Sequence, residues 1–224
     1  TIKKNSEDPF TFLAVGKYEA RKSYEEIIEA FELSFPKNSN HRLLLRLDNL
    51  FLPNALYKAS KLIKPERTHQ INIVKSNPPE SYLKVEVMAQ LYRYANCFLF
   101  PSKGEGWGLP LIEAISCGVP YIATNYSGQT EYLKYCNQLY SDVQFTKELI
   151  QDKFFLEFNK YDPDKAVKWA KPKIKDLAEK MILIYENWKI VKEQALFNAE
   201  IIHKHFSWRA SSERLINIIL KKFK

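Results

Sequence analysis

Short apolar runs alternate with amphipathic stretches along the first part of the chain. Between the runs, apolar residues recur at helical spacing, as at Ile27, Ile28, Ala30 and Phe31. The runs predicted as strands are PFTFLAVG (9–16), HRLLLRL (41–47), INIV (71–74), CFLFP (97–101) and PYIAT (120–124). Apolar strands separated by amphipathic helices are typical of a parallel sheet covered on both faces. We therefore predict an α/β fold, a Rossmann-like doubly wound parallel sheet with helices on both faces.

The expected helices follow the same pattern. Ser23 and Glu26 have the Ser-x-x-Glu spacing of a capping box, which predicts the start of the first helix. Further helices are expected at 55–63, from Val85 to Ala95 and at 111–118.

The pattern changes after about residue 145. Residues 173–206 predict one or two helices with little strand content. Residues 206–224 predict a final helix, whose apolar stripe is formed by Trp208, Leu215, Ile219 and Leu220. We divide the chain into a Rossmann-like domain, 1–205, and a C-terminal helix, 206–224.

Composition narrows the class of protein. The hydrophobic fraction of 46% and the aromatic fraction of 14% indicate a packed globular protein. The formal charge of +8 suits anionic partners such as nucleic acid, anionic lipid or phosphorylated small molecules. The lysines are scattered without a nucleic-acid motif, so we expect no nucleic-acid partner, and a solvated lysine-rich surface is an equal alternative.

The sequence gives little support for a metal site. Cys97, Cys117 and Cys136 lack the spacing of metal ligands, and the four histidines form no H-E-x-x-H pattern. We interpret Cys97 and Cys117 as buried, inert thiols, which indicates a reducing compartment. We expect a cytoplasmic protein.

Glycine is scarce in this chain, and most of the glycines lie close together in the sequence. Five of the six glycines (104, 106, 108, 118 and 128) lie close together, and three of them fall in GEGWGLP (104–110), between a predicted strand and a predicted helix. Glycine lets a ligand approach the main chain, and Pro110 suits the first turn of a helix. The run predicts a bare loop leading to a helix N-terminus, where N–H groups and the helix dipole favour an anion. An ordinary tight turn is the alternative.

Two carboxylates, Glu105 and Glu113, bracket this loop. A carboxylate repels phosphate, but it accepts hydrogen bonds from sugar hydroxyls that contribute about 1.5–3 kcal/mol each. Ligands of doubly wound sheets bind beyond the carboxyl ends of the strands, so Gly16, the glycine cluster and Thr124 should share one rim. These features predict binding of a sugar joined to a nucleoside diphosphate.

Three segments resemble the retaining family-4 glycosyltransferases. PSKGEGWGLPLIEAISCGVPYIATNYSGQTEYL (101–133) is similar to the family signature, whose E-x7-E pattern is Glu105 to Glu113 here. FLAVGKYEARKSYEEIIEAF (12–31) resembles the family's first strand, loop and helix, and HFSWRASSERL (205–215) resembles its closing Phe-Ser-Trp segment. The resemblance covers nearly the whole chain, but only the carboxyl-terminal half of such an enzyme.

The resemblance implies one half of a B-type (GT-B) fold, in which two Rossmann-like domains face each other. It implies transfer of a sugar, with retention, from a UDP-, GDP- or ADP-linked donor to an acceptor hydroxyl in glycan or polysaccharide synthesis. It implies no cofactor and no metal, because lysines replace the divalent cation. Residues 206–224 are expected to pack against an absent N-terminal acceptor domain. The chain, which begins without Met, is expected to be a fragment that binds the nucleotide sugar without turning it over.

The resemblance also assigns roles by position. Lys17 and Lys22 would neutralise the diphosphate, and Glu105 would contact the donor sugar; these are the expected catalytic residues. Glu113 would hold the ribose. The other expected substrate-binding residues are Gly16, Arg21, Gly106, Trp107, Gly108, Leu109, Val74 and Lys75, the last two bordering the nucleobase.

Two positions depart from the family pattern. Lys17 replaces the usual Arg, and Ser23 stands where Gly is common. Lysine lacks the fork geometry of arginine, so Arg21 is an alternative to Lys17 as the main diphosphate contact. A merely solvated side chain is a further alternative for both Arg21 and Lys22.

Two other interpretations remain. Asp162-Pro-Asp164 matches the Asp-x-Asp metal motif of the other large glycosyltransferase fold, but it precedes a predicted helical stretch at 165–170 and is interpreted as a turn and helix cap. A different class of function is a non-catalytic basic module that docks on anionic membrane or nucleic acid. The terminal residues Leu220-Lys-Lys-Phe-Lys224 motivate it, and they make contact at the inner face of the membrane an alternative to a purely cytoplasmic location.

Overall fold

The computed structural model describes residues 7–49, 52, 54–74, 85–150, 152, 156 and 167–222. All five predicted strands form one parallel sheet in the order β3-β2-β1-β4-β5. The strands are β1 (Phe10–Lys17), β2 (His41–Asp48), β3 (Ile71–Ile73), β4 (Cys97–Phe100) and β5 (Tyr121–Ala123). In the register, Phe12 lies opposite Leu43 of β2 and Cys97 of β4. The strand order reverses between β1 and β4, which is where ligands of such sheets bind.

Helices cover both faces of the sheet. They are α1 (Tyr24–Ser34), α2 (Ala55–Ser60), α3 (Val85–Tyr94), α4 (Leu109–Ser116), α5 (Thr130–Leu133), α6 (Ile174–Glu186), α7 (Trp188–Phe206) and α8 (Trp208–Lys222). On one face, Phe31 of α1 and Met181 of α6 pack over β1 and β2. On the other, Tyr92 of α3, Ile115 of α4 and Ile202 of α7 pack over β4 and β5. Two apolar layers enclose the sheet, as the fold prediction requires.

An antiparallel hairpin that the sequence did not predict follows the sheet. It pairs β6 (Phe145–Leu149) with β7 (Lys168–Pro172), Phe145 lying opposite Pro172. The expectation of a helical stretch at 165–170 is therefore wrong for residues 168–170. Half of the ten residues in these two strands are exposed, including Lys147, Lys168 and Lys171, whereas Trp169, Ala170 and Pro172 are buried.

Ser23 does not form the expected capping box. It follows a 3-10 turn (Ala20–Lys22) and adopts a left-handed backbone conformation, φ 58° and ψ 38°, and its side chain caps no helix N–H. An N-cap serine normally has an extended backbone, which places its hydroxyl near the helix amides. The Glu26 side chain is paired with Lys103 instead.

The final helix, α8, has no buried residue. Its predicted apolar stripe is exposed: Trp208 is 90% exposed, Leu215 58% and Leu220 58%. None of the described helices is long and apolar enough to cross a membrane.

Candidate functional site

Three loops meet at the carboxyl edge of the sheet, as expected for a shared rim. The hydroxyl of Thr124, which follows β5, donates to the carbonyl of Ser102, which follows β4. The Glu105 amide donates to the Ser127 hydroxyl over 2.8 Å. The Lys103 amide, also beyond β4, donates to the carbonyl of Arg21, beyond β1, over 2.7 Å. These bonds hold the ends of β1, β4 and β5 together.

Glu105 lies at the centre of a buried ion cluster. Its Oε1 atom is 2.5 Å from Lys22 Nζ, 2.7 Å from Arg21 Nη1 and 2.5 Å from the Ser102 hydroxyl that donates to it. The Lys22 and Glu105 side chains are 7% and 8% exposed. Arg21 also pairs with Glu19, its Nε lying 2.8 Å from Glu19 Oε2. The alternative of a solvated side chain is therefore wrong for Lys22 and for Arg21.

The opposite charges of Lys22 and Glu105 counteract the effect of burial on the pKa of each side chain. Burial alone raises the pKa of Glu105, but the nearby Lys22 ammonium, the Ser102 hydroxyl and Arg21 together hold it below its usual value. Burial lowers the pKa of Lys22, and the Glu105 carboxylate offsets part of that change. Glu105 is therefore ionised at neutral pH and can only accept hydrogen bonds.

The backbone of the glycine-rich loop leads directly into α4. Gly108, at the N-cap position, has φ 79°, and a Cβ there would lie 2.9 Å from the Tyr132 hydroxyl. That hydroxyl donates to the Gly108 carbonyl over 3.0 Å. Pro110 has no N–H, and the amides of Leu111 and Ile112 donate to the Gly108 carbonyl. The amide that the start of α4 presents to the rim is therefore that of Leu109.

The close approach of two main-chain segments explains why position 128 is a glycine. A Cβ on Gly128 would lie 2.0 Å from the carbonyl oxygen of Gly106, whereas a Cβ on Gly104 or on Gly106 would have no atom within 4 Å. The Gly128 amide donates to the Glu105 carbonyl over 3.0 Å. Close packing thus requires glycine at position 128, whereas the space around Gly104 and Gly106 is open.

Trp107 and Leu109 lie on the open side of this loop. Trp107 is 39% exposed and Leu109 60% exposed. The Trp107 ring packs 5.6 Å from Tyr132 and 6.2 Å from Phe206, measured between ring centroids. Trp107 is therefore partly exposed within the loop and packed against aromatic rings on one side, and its place near a ligand stays a prediction.

Glu113 lies on α4 and is exposed. Its Oε2 atom accepts a hydrogen bond of 2.8 Å from the hydroxyl of Tyr92, which is 1% exposed. Burial, together with the Glu113 charge, raises the pKa of Tyr92, so this hydroxyl remains a donor. Glu113 is therefore fixed by α3, whereas Glu105 is fixed by the turn after β1.

The remaining predicted site residues lie along the same edge. Gly16 is near the end of β1, and its carbonyl accepts a hydrogen bond of 2.9 Å from the Tyr24 hydroxyl. Lys17 is the exposed last residue of β1. Val74 follows β3 and donates its N–H to the Leu45 carbonyl. Lys75 lies outside the described residues.

Sequence reasoning missed a second buried pair that supports the site. Lys103 Nζ lies 2.9 Å from Glu26 Oε1, and both side chains are about one-tenth exposed. The Lys103 amide donates to the Arg21 carbonyl over 2.7 Å, and its carbonyl accepts from the Ala170 amide over 2.8 Å. Lys103 thus joins the Glu105 loop to the Arg21 turn and to the hairpin. No periodicity marks this residue, and only the buried pairing identifies it.

The structure also locates the residues considered for metal and thiol chemistry. Asp162 and Asp164 lie outside the described residues. Within the described part of the chain, no group of three or more His, Cys, Asp and Glu side chains is placed to hold a metal ion. Cys97 is a buried free thiol as predicted, whereas Cys117 is only partly buried.

Comparisons with known proteins identify the family. Residues 2–200 match the family described as glycosyl transferases group 1. O-antigen chain mannosyltransferase B of Escherichia coli is 44% identical over 50 residues, which are 22% of this chain and 13% of that protein. A glycosyltransferase from Rickettsia africae ESF-5 superposes with a TM-score of 0.71 at 18% identity, covering 98% of this chain and 49% of that one.

A further solved structure carries ligands. HepE of Anabaena, in complex with UDP and glucose, superposes with a TM-score of 0.69 at 12% identity, covering 96% of this chain and 49% of that one. This chain thus spans about half the length of these two structures, and less of the mannosyltransferase. These matches confirm the predicted Rossmann-like fold. The chain belongs to the glycosyl transferases group 1 family.

Proposed function

We propose that this chain is the donor-binding domain of a retaining glycosyltransferase, which transfers a sugar from a nucleoside diphosphate to an acceptor hydroxyl in glycan or polysaccharide synthesis. The observation that carries the proposal is the cluster of Lys22, Arg21 and Glu105 on the rim that also carries the N-terminus of α4. The UDP and glucose bound by HepE, and the mannosyltransferase name of the E. coli relative, support it.

In the proposed reaction, negative charge develops on the leaving diphosphate. Stabilising that charge is the main way in which the domain would lower the activation barrier. Glu19 and Glu105 balance the charges of Arg21 and Lys22, so the net positive potential comes from Lys17 on the same edge and from the α4 N-terminus. Arg21 and Lys22 supply N–H donors for direct contact with the diphosphate, and no metal is expected. Three donors hold one oxygen of Glu105, which leaves Oε2 to accept a hydrogen bond from a hydroxyl of the donor sugar.

Glu113 binds the ribose. Tyr92 holds its Oε2 atom, and the second carboxylate oxygen accepts hydrogen bonds from the ribose diol. The nucleobase lies toward Val74 and Lys75. The backbone of Gly16, Gly106, Gly108 and Leu109 approaches the phosphates, and Trp107 lies beside the sugar.

Calorimetric titration with UDP, GDP and ADP tests the assignment. We expect one of them to bind, and we expect Glu113→Gln to weaken that binding about tenfold and more than Glu105→Gln does, because a charged hydrogen bond to the ribose is lost. Glu131→Gln is the matched control, since Glu131 is exposed on α5 and pairs with the exposed Lys134. Silence with all three nucleotides in a folded sample contradicts the proposal, and a larger effect at Glu105 contradicts the division of roles.

The chain is proposed to work with an N-terminal acceptor domain, against which α8 packs. The exposed stripe of α8, together with the half-length coverage of the R. africae and Anabaena structures, supports this partner. On its own the chain is expected to bind the nucleotide sugar with little or no transfer, in a cytoplasmic setting.

A second candidate is a basic module that docks on anionic membrane. The basic last turn of α8, Lys221 and Lys222, next to exposed Ile218 and Leu220, favours it. Co-sedimentation with anionic vesicles separates the two functions. Vesicle binding that survives Glu113→Ala and the loss of Lys17 and Lys22, without nucleotide affinity, supports the module.

A further inference from the structure

Arg46 is a charged residue in the central sheet, near the carboxyl end of β2, and its side chain is half-buried. Successive side chains of a strand point to opposite faces of the sheet. Leu45 and Leu47 pack with α1 and α6 on one face, whereas Leu44 packs against the apolar layer of α3, α4 and α7 on the other. Arg46 therefore lies on the second face, which also carries Glu113 on α4.

The register of the sheet places Arg46 beside the region proposed for the nucleobase. Leu45 lies opposite Ile73 of β3, and the Val74 amide donates to the Leu45 carbonyl over 2.9 Å. Arg46 and Val74 are the next residues along these two parallel segments. They therefore lie side by side at the carboxyl edge.

One face of α3 joins Arg46 to the residue proposed for the ribose. Arg46 Nη1 donates to the sulfur of Met88 on α3. Tyr92, four residues further along α3, donates its hydroxyl to Glu113 over 2.8 Å. Residues four apart lie on the same face of a helix, about 6 Å apart along its axis. The charge of Arg46 also opposes the rise in the pKa of Tyr92 that burial causes, which agrees with a guanidinium close to that hydroxyl.

The guanidinium of Arg46 donates hydrogen bonds and cannot accept them. Its N–H groups form a planar fork, and the thioether sulfur of Met88 is only a weak acceptor. A base that matches the fork has two neighbouring acceptors. Guanine offers O6 and N7 in this arrangement, whereas adenine has an amino donor beside N7 and uracil has an N–H donor beside each of its carbonyl groups.

We propose that Arg46 binds O6 and N7 of a guanine base, so that the donor of this domain is a GDP-linked sugar. The proposal rests on the proposed function, in which Glu113 binds the ribose, and adds the class of nucleotide to it. A base is bonded directly to its ribose, so a side chain one helical turn from the Glu113 contact reaches the edge of the base.

Calorimetric titration of the 224-residue chain with GDP, UDP, ADP and 7-deaza-GDP tests the proposal. We expect GDP to bind about tenfold more tightly than each of the other three, because only GDP offers both acceptors. In 7-deaza-GDP a C–H group replaces N7 and the rest of the nucleotide is unchanged, so this comparison isolates the contact to N7.

Arg46→Met and Arg46→Lys are each expected to weaken GDP binding about tenfold and to abolish the preference over 7-deaza-GDP. Lysine keeps the positive charge but loses the fork. Arg42→Met is the matched control, because Arg42 lies on the same face of β2, four residues nearer its amino end. We expect it to leave GDP binding unchanged. Circular dichroism verifies that each variant is folded.

Equal binding of GDP and 7-deaza-GDP to the native chain overturns the proposal, and this result needs no variant. A preference for GDP that survives in Arg46→Met or Arg46→Lys, or that is lost equally in Arg42→Met, overturns it as well. Tighter binding of UDP or ADP than of GDP, weakened by Glu113→Gln, overturns the guanine assignment and leaves the proposed function standing. Silence with every nucleotide overturns both.

Discussion

Ser23 occupies a backbone conformation that suits glycine better than serine. Its φ of 58° brings Cβ close to the following carbonyl, which costs about 1–2 kcal/mol for a residue with a side chain. Its hydroxyl is also buried without a hydrogen-bond partner among the described residues. The residue that the family commonly has at this position, glycine, avoids both costs.

Ser23→Gly is expected to raise the free energy of unfolding by about 1 kcal/mol, because relief of the strain exceeds the entropy cost of glycine in the unfolded chain. Urea unfolding monitored by circular dichroism measures the change. Ser23→Ala is the control, since it removes the hydroxyl and keeps Cβ. An equal gain in Ser23→Ala shows that the hydroxyl, rather than the backbone, is the cause.

His41 is a histidine held among aromatic rings. Its ring stacks on Phe35 with centroids 3.9 Å apart and meets Tyr185 edge-on at 4.5 Å. Both ring nitrogens are buried and have no partner in the described structure. Burial lowers the pKa of His41, so the folded protein favours the neutral ring.

Because the folded pKa of His41 is below the unfolded value of about 6.5, the unfolded chain binds more protons and stability falls as pH drops below about 6.5. His41→Phe is expected to lose this part of the pH dependence. Urea midpoints between pH 5 and pH 8 measure it, with exposed His203→Gln as the control. Parallel pH curves for the native chain and His41→Phe contradict the assignment.

At the scale of secondary-structure elements, the loop that carries Glu105 is held by contacts with α1 on one side and with the β6–β7 hairpin on the other. Lys103 connects it to α1 through Glu26 and to the hairpin through Ala170, and its ammonium lies 5.4 Å from the centroid of the Trp169 ring. The Arg21 carbonyl, which accepts the Lys103 amide, belongs to the turn that carries Lys22. The hairpin is therefore part of the support for the ion cluster.

Lys103→Met is expected to lower the free energy of unfolding by about 3 kcal/mol, because it leaves the Glu26 carboxylate buried and unpaired. Nucleotide binding is expected to change much less, since the Lys103 amide that donates to the Arg21 carbonyl is main chain and is kept in Lys103→Met. Unfolding and calorimetry measure the two effects. Lys171→Met is the control, because exposed Lys171 also pairs with Glu148 but does not reach the loop.

Adding Glu26→Gln to Lys103→Met should recover part of the lost stability, since the unpaired charge is gone. Strictly additive losses show that Lys103 and Glu26 act independently, which contradicts the paired arrangement.

The elements differ in how far the sequence predicts them. The runs at 9–16 and 97–101 predict strands because both faces of a parallel sheet are buried and all positions except Thr11 are non-polar. The strands Phe145–Leu149 and Lys168–Pro172 carry no such pattern, since only part of one face is covered. The glycine loop was predictable from spacing, but its contact with Lys22 depends on tertiary packing between loops more than eighty residues apart. The capping rule failed at Ser23 because it assumes an extended backbone.

At the scale of the whole molecule, α8 is the element that contributes least to the core. Leu215, Ile218 and Ile219 are exposed, so the helix gains little from burial within this chain. An exposed apolar face of this kind is typical of an interaction surface.

Changing Leu215 and Ile219 together to Glu is expected to leave the free energy of unfolding within about 0.5 kcal/mol, because these side chains support no core. The same change is expected to reduce self-association of the chain, which sedimentation velocity measures. Ile202→Glu, on the buried face of α7, is the contrasting variant and is expected to unfold the protein. A clear loss of stability in the α8 variant shows that the helix already packs on this domain.

The ion cluster around Glu105 is electrically balanced. Arg21 and Lys22 contribute two positive charges, and Glu19 and Glu105 contribute two negative ones, so the group exerts little field at a distance. The long-range electrostatic attraction of the proposed diphosphate ligand therefore comes from the chain's overall charge of +8. Added salt should therefore lower the rate at which this chain associates with the proposed diphosphate ligand. The rate of dissociation depends instead on rearrangement of the neighbouring side chains of Glu19, Arg21, Lys22 and Glu105.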